Sequence, residues 1–261
     1  MNISPKKSLG QHWLTDRPIL DSICELADVR PGNNVLEVGP GKGTLTSALL
    51  DKGALVTAVE FDETLATELP HRIKSENLKV FNRDILKFDL RQLPADYKVV
   101  ANIPYYLTSN LIRILSESRN PASSITLLVQ KEVAERICAA PGAMSLLSVS
   151  AQVYYECSLG PVVPAEKFIP PPKVDSQVVH MVRRSEPLIA DKDNKTFFRL
   201  VKAGFASRRK TLENSLAGGL GLSKQEVREI LAAAGTDAQQ RPQELSLPQW
   251  GELLKEINLT R

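Results

Sequence analysis

The feature that most constrains this chain is a glycine-rich turn between a short apolar stretch and a helical one. The residues EVGPGKGT, 37–44, complete the apolar run that begins at Val35, and a leucine-rich helical pattern follows them. A strand that passes through glycines into a helix is typical of a parallel sheet, and such a turn lets a ligand approach the backbone. One glycine would suffice for a plain tight turn, whereas three stand here at alternate positions, Gly39, Gly41 and Gly43.

The alternation of strands and helices continues through the first two thirds of the chain. The pattern predicts strands at 34–38, 55–61, 78–82, 97–101, 124–130 and 176–182, and helices at 18–29, 45–51, 63–75, 107–116 and 131–139. Asp16 is the predicted N-cap of the first of these helices. Residues 146–156 are ambiguous, and 168–172 are predicted to form an extended loop. Because the strands are continuous apolar runs, we expect an α/β fold with helices on both faces of a parallel sheet.

The pattern changes near residue 184. Helical periodicity covers 197–205, 209–216, 223–234 and 247–257, with the glycine-rich stretch AGGLGL and residues 235–242 between helices. Strand patterns are absent from this part of the sequence. We therefore predict two domains, an α/β domain over 1–184 and a small all-helical domain over 185–261.

Composition excludes several classes of protein. No apolar run reaches the ~20 residues of a membrane span, and the first residues lack the apolar stretch of a signal peptide, so we expect a cytoplasmic protein without a membrane partner. A net charge of +3 permits a polyanionic partner without requiring one. The three cysteines and three histidines are far apart, which predicts neither a metal site nor a disulfide framework.

An acidic residue completes the first candidate site. Glu60 ends the second predicted strand, about 20 residues after Gly41, where an acid can bind the ribose hydroxyls of a nucleoside cofactor. NAD and S-adenosylmethionine both suit this geometry. The G-x-G-x-G spacing favours S-adenosylmethionine, as does Pro40, which removes an N–H that a pyrophosphate would use.

Three further residues lie at predicted strand ends. Phe61 can lie against an adenine ring, although a core position would suit it equally. Asp84, with Ile85 beside it, follows the third strand and can accept a hydrogen bond from an adenine amino group; a turn aspartate is the alternative. Because ligands collect at the carboxyl ends of parallel strands, we assign all three to the cofactor site.

The stretch NIPYY follows the fourth predicted strand and opens onto the same edge. The side-chain carbonyl of Asn102 and the backbone carbonyl of Ile103 can accept from both N–H groups of an adenine amine, which frees its lone pair for attack on a sulfonium methyl. Pro104 fixes the backbone, and Tyr105 offers a ring on which a turned-out base can stack. A strand-ending turn with inward tyrosines is the alternative. The absence of cysteine from this loop argues against methyl transfer through a covalent pyrimidine adduct.

With these residues placed, the chain resembles the KsgA family of small-subunit rRNA adenine dimethyltransferases over nearly its whole length. The resemblance rests on LGQHWL (9–14), EVGPGKGTLT (37–46), VEFD (59–62), NIPYY (102–106), FIPPPKVDS (168–176) and SRRKTLENSL (207–216). It implies a class I, Rossmann-like methyltransferase sheet with a small C-terminal helical domain. It also implies transfer of two methyl groups from S-adenosylmethionine to each of two adjacent adenosines in the 3′-terminal hairpin loop of 16S rRNA, within the immature small subunit and by a monomer.

The resemblance also carries residue roles. It implies cofactor contacts at His12, Leu14, Gly39, Glu60, Asp84 and Asn102, and it places Phe168 opposite Tyr105 across the target base. The chain departs from the family pattern at Leu9 and Trp13, where phenylalanine is usual, and at His12, where asparagine is frequent. These departures concern how the N-terminal segment closes over the cofactor.

Other readings stay open on the sequence. Candidate phosphate contacts are Lys6, Lys7, Lys202, Arg208, Arg209 and Lys210, although a solvated helix face would explain the later cluster. The nearest rival enzyme is a 23S rRNA adenine methyltransferase of the antibiotic-resistance type. A non-catalytic ribosome-assembly or transcription factor and an NAD oxidoreductase are the remaining alternatives.

Overall fold

The structure, a computed structural model, describes residues 10–186, 188–207 and 209–259, which fall into two compact units. The first unit comprises 10–135 and 156–183. The second comprises 136–155 and the described residues from 184 onward. The sequence pattern predicts a single domain boundary, at 184, and therefore assigns 136–155 to the first domain, whereas the structure assigns this segment to the second unit.

The first unit contains a seven-stranded sheet and a separate two-stranded one. The strands are β1 (Trp13–Leu14), β2 (Asn34–Val38), β3 (Leu55–Glu60), β4 (Leu78–Asn82), β5 (Lys98–Asn102), β6 (Ser124–Gln130), β7 (Tyr155–Val163), β8 (Phe168–Ile169) and β9 (Ser176–Arg183). The sheet order is β4-β3-β2-β5-β6-β9-β7. Strands β4, β3, β2, β5 and β6 run parallel, and β9 is antiparallel to β6. The predicted α/β class is confirmed, with an antiparallel strand added to the parallel core.

Helices join the parallel strands. They are α1 (Arg17–Leu26), α2 (Thr44–Asp51), α3 (Glu63–Arg72), α4 (Thr108–Ser116) and α5 (Lys131–Ile137). Helix α1 begins at its predicted cap, since the Asp16 carboxylate accepts a hydrogen bond from the Ile19 amide at 3.3 Å. Buried side chains such as Ile23, Leu49 and Val100 form one core between the sheet and the helices α1, α2 and α3. This core fixes the strand ends that carry the candidate site.

Two strand features of the first unit were not predicted. Strands β1 and β8 pair antiparallel as a two-stranded sheet, with Leu14 opposite Phe168. The sequence reads this second segment as an extended loop because a two-residue strand leaves no periodicity. Strand β7 was also missed, because it lies at the sheet edge and mostly exposes its residues, which hides the apolar pattern.

The second unit is helical. Its helices are α6 (Leu146–Gln152), α7 (Asn194–Phe205), α8 (Leu212–Leu220), α9 (Lys224–Ala233) and α10 (Leu247–Leu259). Val149 and Val153 are buried in one cluster with Phe197 and Trp250. This shared core explains why 136–155 belongs to the helical unit despite its earlier place in the sequence. Within the described ranges, no helix is both long and apolar enough to cross a membrane.

One predicted helix break in this unit is wrong. The residues AGG, read as a separator, lie inside α8. A Cβ added at Gly219 would come within 2.5 Å of the Ala203 Cβ on α7. Glycine therefore allows close packing of two helices here, and the sequence alone does not distinguish this from a turn.

Candidate active site

A cavity of about 310 Å³ lies at the carboxyl ends of the parallel strands in the first unit. It is lined by segments that follow β2, β3, β4 and β5, and by residues 10–14. The predicted site residues that line it are His12, Leu14, Gly39, Gly41, Glu60, Phe61, Asp84, Ile85, Asn102, Pro104 and Tyr105. The structure thus brings together every predicted site residue except Phe168.

The glycine turn shapes one wall of this cavity. Gly39 has φ +66°, and a Cβ added there would meet nothing within 4 Å. Gly41 has φ +57°, and an added Cβ would lie 3.1 Å from the Trp13 indole nitrogen. Because Gly39 has no side chain, there is room for a ligand beside the backbone. Because Gly41 has none, the Trp13 indole can pack over the turn. This open backbone fits a nucleoside cofactor.

Glu60 braces the turn with its buried carboxylate. One carboxylate oxygen accepts from the Gly41 amide at 3.0 Å, and the other accepts from the Asp62 amide at 2.9 Å. Burial raises the pKa of Glu60, and these backbone hydrogen bonds act against that rise. Since a carboxylate has about four acceptor positions, the group can hold the turn and still accept from ribose hydroxyls.

Glu37 also lines the cavity, although we did not predict it as a site residue. Its side chain is 1% exposed and accepts a hydrogen bond from the Thr46 hydroxyl at 2.6 Å. Burial, reinforced by the nearby Glu60, raises the pKa of Glu37 to about 8. The signal in the sequence that would have identified Glu37 is its charge, because the neighbouring residues of the same strand are apolar.

Asp84 follows the end of β4, and Phe61 follows the end of β3. Asp84 uses one oxygen to accept from the Leu86 amide at 3.0 Å, so it is a cap of the following 3₁₀ turn. Its other oxygen receives no donor from the described residues. Phe61 is 62% exposed, which rules out the core position, and Ile85 is buried beside the acid. These two residues therefore fit an adenine, because Asp84 offers an acceptor for the adenine amine and Phe61 offers a ring for the adenine face.

Asn102 ends β5 with its amide held in one orientation. Its Nδ2 donates to the backbone carbonyl of His12 at 3.2 Å. A carbonyl oxygen only accepts, so this contact assigns the NH₂ end of the amide to His12. The Oδ1 end receives no hydrogen bond from the described residues and is available as an acceptor in the cavity.

Tyr105 occupies the 3₁₀ turn Tyr105–Leu107 that follows Pro104. Its hydroxyl lies 2.8 Å from the Ser176 hydroxyl, and its ring lies 6.1 Å from the His12 ring at an interplanar angle of 18°. The His12 Nδ1 donates in turn to the Pro170 carbonyl at 2.7 Å, because that oxygen only accepts. Tyr106, the second ring of NIPYY, is largely exposed at the cavity.

Phe168 is the predicted site residue that the structure keeps apart. It is 2% exposed and packs in the core cluster that contains Leu14, Val163 and Val178. Pairing of β8 with β1 places Phe168 opposite Leu14 in this core, and Phe168 itself is not among the residues that line the cavity. Opposition of Phe168 to Tyr105 across a base is therefore not a feature of this structure.

The structure describes some, but not all, of the N-terminal residues that differ from the family pattern and of the candidate phosphate contacts. Trp13 is buried over Gly41, with the Lys42 ammonium 4.1 Å from its ring centre, while Leu9 lies outside the described residues. Of the phosphate-contact candidates, the structure shows exposed side chains for Lys202, Arg209 and Lys210 in the helical unit. The other three lie outside the described residues: Lys6, Lys7 and Arg208.

Comparison with known proteins adds sequence relatives. The family described as "Ribosomal RNA adenine dimethylase" matches residues 2–258 of this chain. A protein named "Ribosomal RNA small subunit methyltransferase A" from Dehalococcoides mccartyi (strain CBDB1) is 41% identical over 258 residues, 97% of this chain and 89% of that protein. A protein of the same name from Desulfitobacterium hafniense (strain DSM 10664 / DCB-2) is 43% identical over 248 residues, 94% of this chain and 89% of that protein.

Solved structures share the fold. A dimethyladenosine transferase from Plasmodium falciparum superposes with a TM-score of 0.81 at 26% identity, covering 95% of this chain and 98% of that one. The 23S rRNA methyltransferase ErmE superposes with a TM-score of 0.75 at 29% identity, covering 94% and 99%. Both similarities extend over nearly the full length of the chain.

Proposed function

The chain belongs to the ribosomal RNA adenine dimethylase family, and we infer that it is an S-adenosylmethionine-dependent enzyme that dimethylates adenine in small-subunit rRNA. Relatives named for the small subunit are 41% and 43% identical to it, whereas the solved 23S rRNA enzyme is 29% identical. These identities favour the small-subunit substrate. In finer detail we propose two adjacent adenosines in the 3′-terminal hairpin loop of 16S rRNA, methylated in the immature subunit, in the cytoplasm and by a monomer.

The observation that carries this proposal is the orientation of the Asn102 amide. Adenine N6 is a poor nucleophile because its lone pair is delocalised into the ring. An acceptor on each N–H draws the amine towards a tetrahedral shape and localises that lone pair. Asn102 meets this need because its Nδ2 is bound to the His12 carbonyl, which leaves Oδ1 as the end that accepts.

The remaining residues of NIPYY complete the base site. The Ile103 carbonyl is the second acceptor in this proposal, and Pro104 restricts the backbone that aims it. The Tyr105 ring receives the base after it leaves its stack, a contact worth about 1–3 kcal/mol. No cysteine is present among the described residues that line the cavity, which supports direct attack over a covalent adduct.

The opposite part of the cavity would hold the cofactor. S-adenosylmethionine, when bound, supplies an electrophilic methyl group on its sulfonium. Glu60 would accept from the ribose hydroxyls, and the free oxygen of Asp84 from the adenine amine. Phe61 would cover the adenine face with its exposed ring, and Gly39 would let the ligand approach the backbone. His12, Leu14, Gly41 and Ile85 complete the wall of this site.

RNA outside the base site would be held through phosphates. Lys202, Arg209 and Lys210 are exposed cations of the helical unit and are our candidates for these contacts. Such contacts position an RNA without reading its sequence. We therefore propose that the enzyme recognises the shape of assembled RNA.

The direct test supplies the purified chain with methyl-labelled S-adenosylmethionine and either small-subunit or large-subunit particles. Mass analysis of the rRNA should find dimethyladenosine in 16S rRNA from small-subunit particles. The Asn102→Ala variant should lose this product and still bind the cofactor in a titration. Methylation confined to 23S rRNA would support the rival enzyme, and binding of small subunits without methylation would support an assembly factor.

A further inference from the structure

Tyr105 is held through its backbone and through its side-chain hydroxyl. At the backbone end, the Thr108 hydroxyl donates to the Tyr105 carbonyl at 3.0 Å. At the far end, the Tyr105 hydroxyl lies 2.8 Å from the Ser176 hydroxyl. A tyrosine side chain has two rotatable bonds, so anchoring both the backbone and the hydroxyl sets the direction of the ring axis, and the His12 ring stacks at 6.1 Å and 18° beside the ring plane.

Ser176 is suited to be the fixed partner in this pair. It is 0% exposed and is the first residue of β9. It lies opposite Gln130 in the antiparallel ladder with β6, at the carboxyl end of that strand. Its hydroxyl is therefore attached to the rigid sheet, whereas Tyr105 occupies a short turn at the edge of the cavity.

We propose that Ser176 is the positioning residue for the Tyr105 ring, whose far end it holds at the place that receives the target base. The proposal deepens the proposed function and rests on it, because it assumes that Tyr105 stacks on an adenine. Stacking depends on a parallel approach of two flat surfaces. Release of the hydroxyl would let the ring swing from this place, and the base would then be held less often with its amine beside Asn102.

This inference gives the segment FIPPPKVDS a role that does not require Phe168 in the cavity. The phenylalanine at its start is buried in the core, while the serine at its end contacts Tyr105. Between them, the Pro170 carbonyl accepts from the His12 ring. The segment thus contacts two aromatic residues of the cavity wall, one through a backbone oxygen and one through a side chain.

The test uses four variants of the full chain: Ser176→Ala, Tyr105→Phe, the double variant, and Ser124→Ala as the matched control. Ser124 is a buried serine on the neighbouring strand β6, and its hydroxyl has no hydrogen-bond partner within the described residues. Measurements are kcat and KM with small-subunit particles, affinity for S-adenosylhomocysteine, and Tm. The control separates loss of a buried hydroxyl from loss of the contact with Tyr105.

We expect Ser176→Ala to lower kcat roughly three- to tenfold, as loss of one hydrogen bond predicts. The KM for particles and the affinity for S-adenosylhomocysteine should change less than twofold, because the cofactor contacts and the RNA surface are intact. Ser124→Ala should leave kcat unchanged. In the Tyr105→Phe background, Ser176→Ala should have less than a twofold further effect, since the shared hydrogen bond is already gone.

Equal losses of kcat from Ser176→Ala in the two backgrounds would overturn the proposal, since the serine would then act without Tyr105. A loss of kcat explained entirely by a lower Tm would also overturn it. Wild-type protein that methylates small-subunit rRNA while Ser176→Ala matches it would refute only the positioning role. Wild-type protein that methylates no rRNA would refute the proposed function and this inference together.

Discussion

The Nδ2 atom of Asn102 lies 3.2 Å from the carbonyl oxygen of His12, a residue 90 positions earlier in the chain. The contact joins the end of β5 to the N-terminal segment that closes the cavity. It also determines which end of the Asn102 amide is left to accept a hydrogen bond. Asn102 thus has a structural partner that selects the amide orientation required by the proposed mechanism.

Substitution of Asn102 by aspartate should test that orientation. Asn102→Asp keeps the shape and one acceptor but replaces the donor with an oxygen that faces the His12 carbonyl. Two acceptors in contact cost about 1–3 kcal/mol, so we expect kcat to fall by about five- to 150-fold. Methylation kinetics with small-subunit particles measure this, and an unchanged Tm would show that the fold is intact. Full activity of Asn102→Asp would contradict the assigned orientation.

Substitution of Gly41 by alanine should displace the Trp13 indole from the glycine turn. The added Cβ would lie 3.1 Å from the Trp13 indole nitrogen, on a backbone at φ +57°. We expect at least a tenfold loss of affinity for S-adenosylhomocysteine, measured by calorimetric titration. Gly221→Ala is the control, because Gly221 has φ +72° with nothing within 4 Å of its added Cβ. A similar loss in both variants would mean that backbone strain, and not the indole, is responsible.

Glu37 should make stability fall as pH rises. Burial raises its pKa to about 8, so between about pH 5 and pH 8 the unfolded chain loses a proton that the folded chain keeps. Stability is therefore fully present below the unfolded pKa, near 4.5, and is lost towards pH 8 at no more than about 1.4 kcal/mol per pH unit from this group. Urea unfolding of wild type and Glu37→Gln should show a shallower fall in the variant. Parallel curves would contradict the raised pKa.

Phe61 should affect ligand binding without affecting stability. The side chain is 62% exposed, so Phe61→Ala removes little buried surface and should shift Tm by less than 2 °C. Loss of the ring face should lower affinity for S-adenosylhomocysteine several-fold, by about 1 kcal/mol or more. Leu159→Ala is a matched control, since Leu159 is 46% exposed and does not line the cavity. Equal affinities of Phe61→Ala and wild type would remove Phe61 from the cofactor site.

Phe168 should behave as a core residue. Phe168→Ala should destabilise the protein by about 3–5 kcal/mol, as for other buried phenylalanines. The informative variant is Phe168→Leu, which keeps an apolar core and removes the aromatic ring. We expect its kcat to stay within threefold of wild type at a temperature where both are folded. A loss of kcat above a hundredfold without loss of structure would return Phe168 to the base site.

The parallel core was predictable because each strand is an apolar run followed by a turn or a capping residue. Asp16 was identified as a cap, and β2, β4 and β6 have the predicted bounds. Edge features were not predictable, because β7 exposes most of its residues and β8 has two residues. Their positions depend on pairing with distant segments, which leaves no local pattern.

The same distinction applies to the candidate site. Residues that follow parallel strands, such as Gly39, Glu60 and Asp84, were placed by topology alone. Partners that come from distant segments were missed, and Ser176 beside Tyr105 and Trp13 over Gly41 are examples. The burial of Phe168 was not predicted for the same reason, since it follows from the pairing of β8 with β1.

That pairing has a consequence for synthesis of the protein. Strand β1 finds its partner only when residues 168 and 169 have left the ribosome, long after the parallel strands β2 to β5 have emerged. The glycine turn and the NIPYY loop are therefore synthesised before β1 can pair with β8. The pairing that holds Trp13 and Leu14 beside the cavity therefore forms late in translation, after β8 has been made.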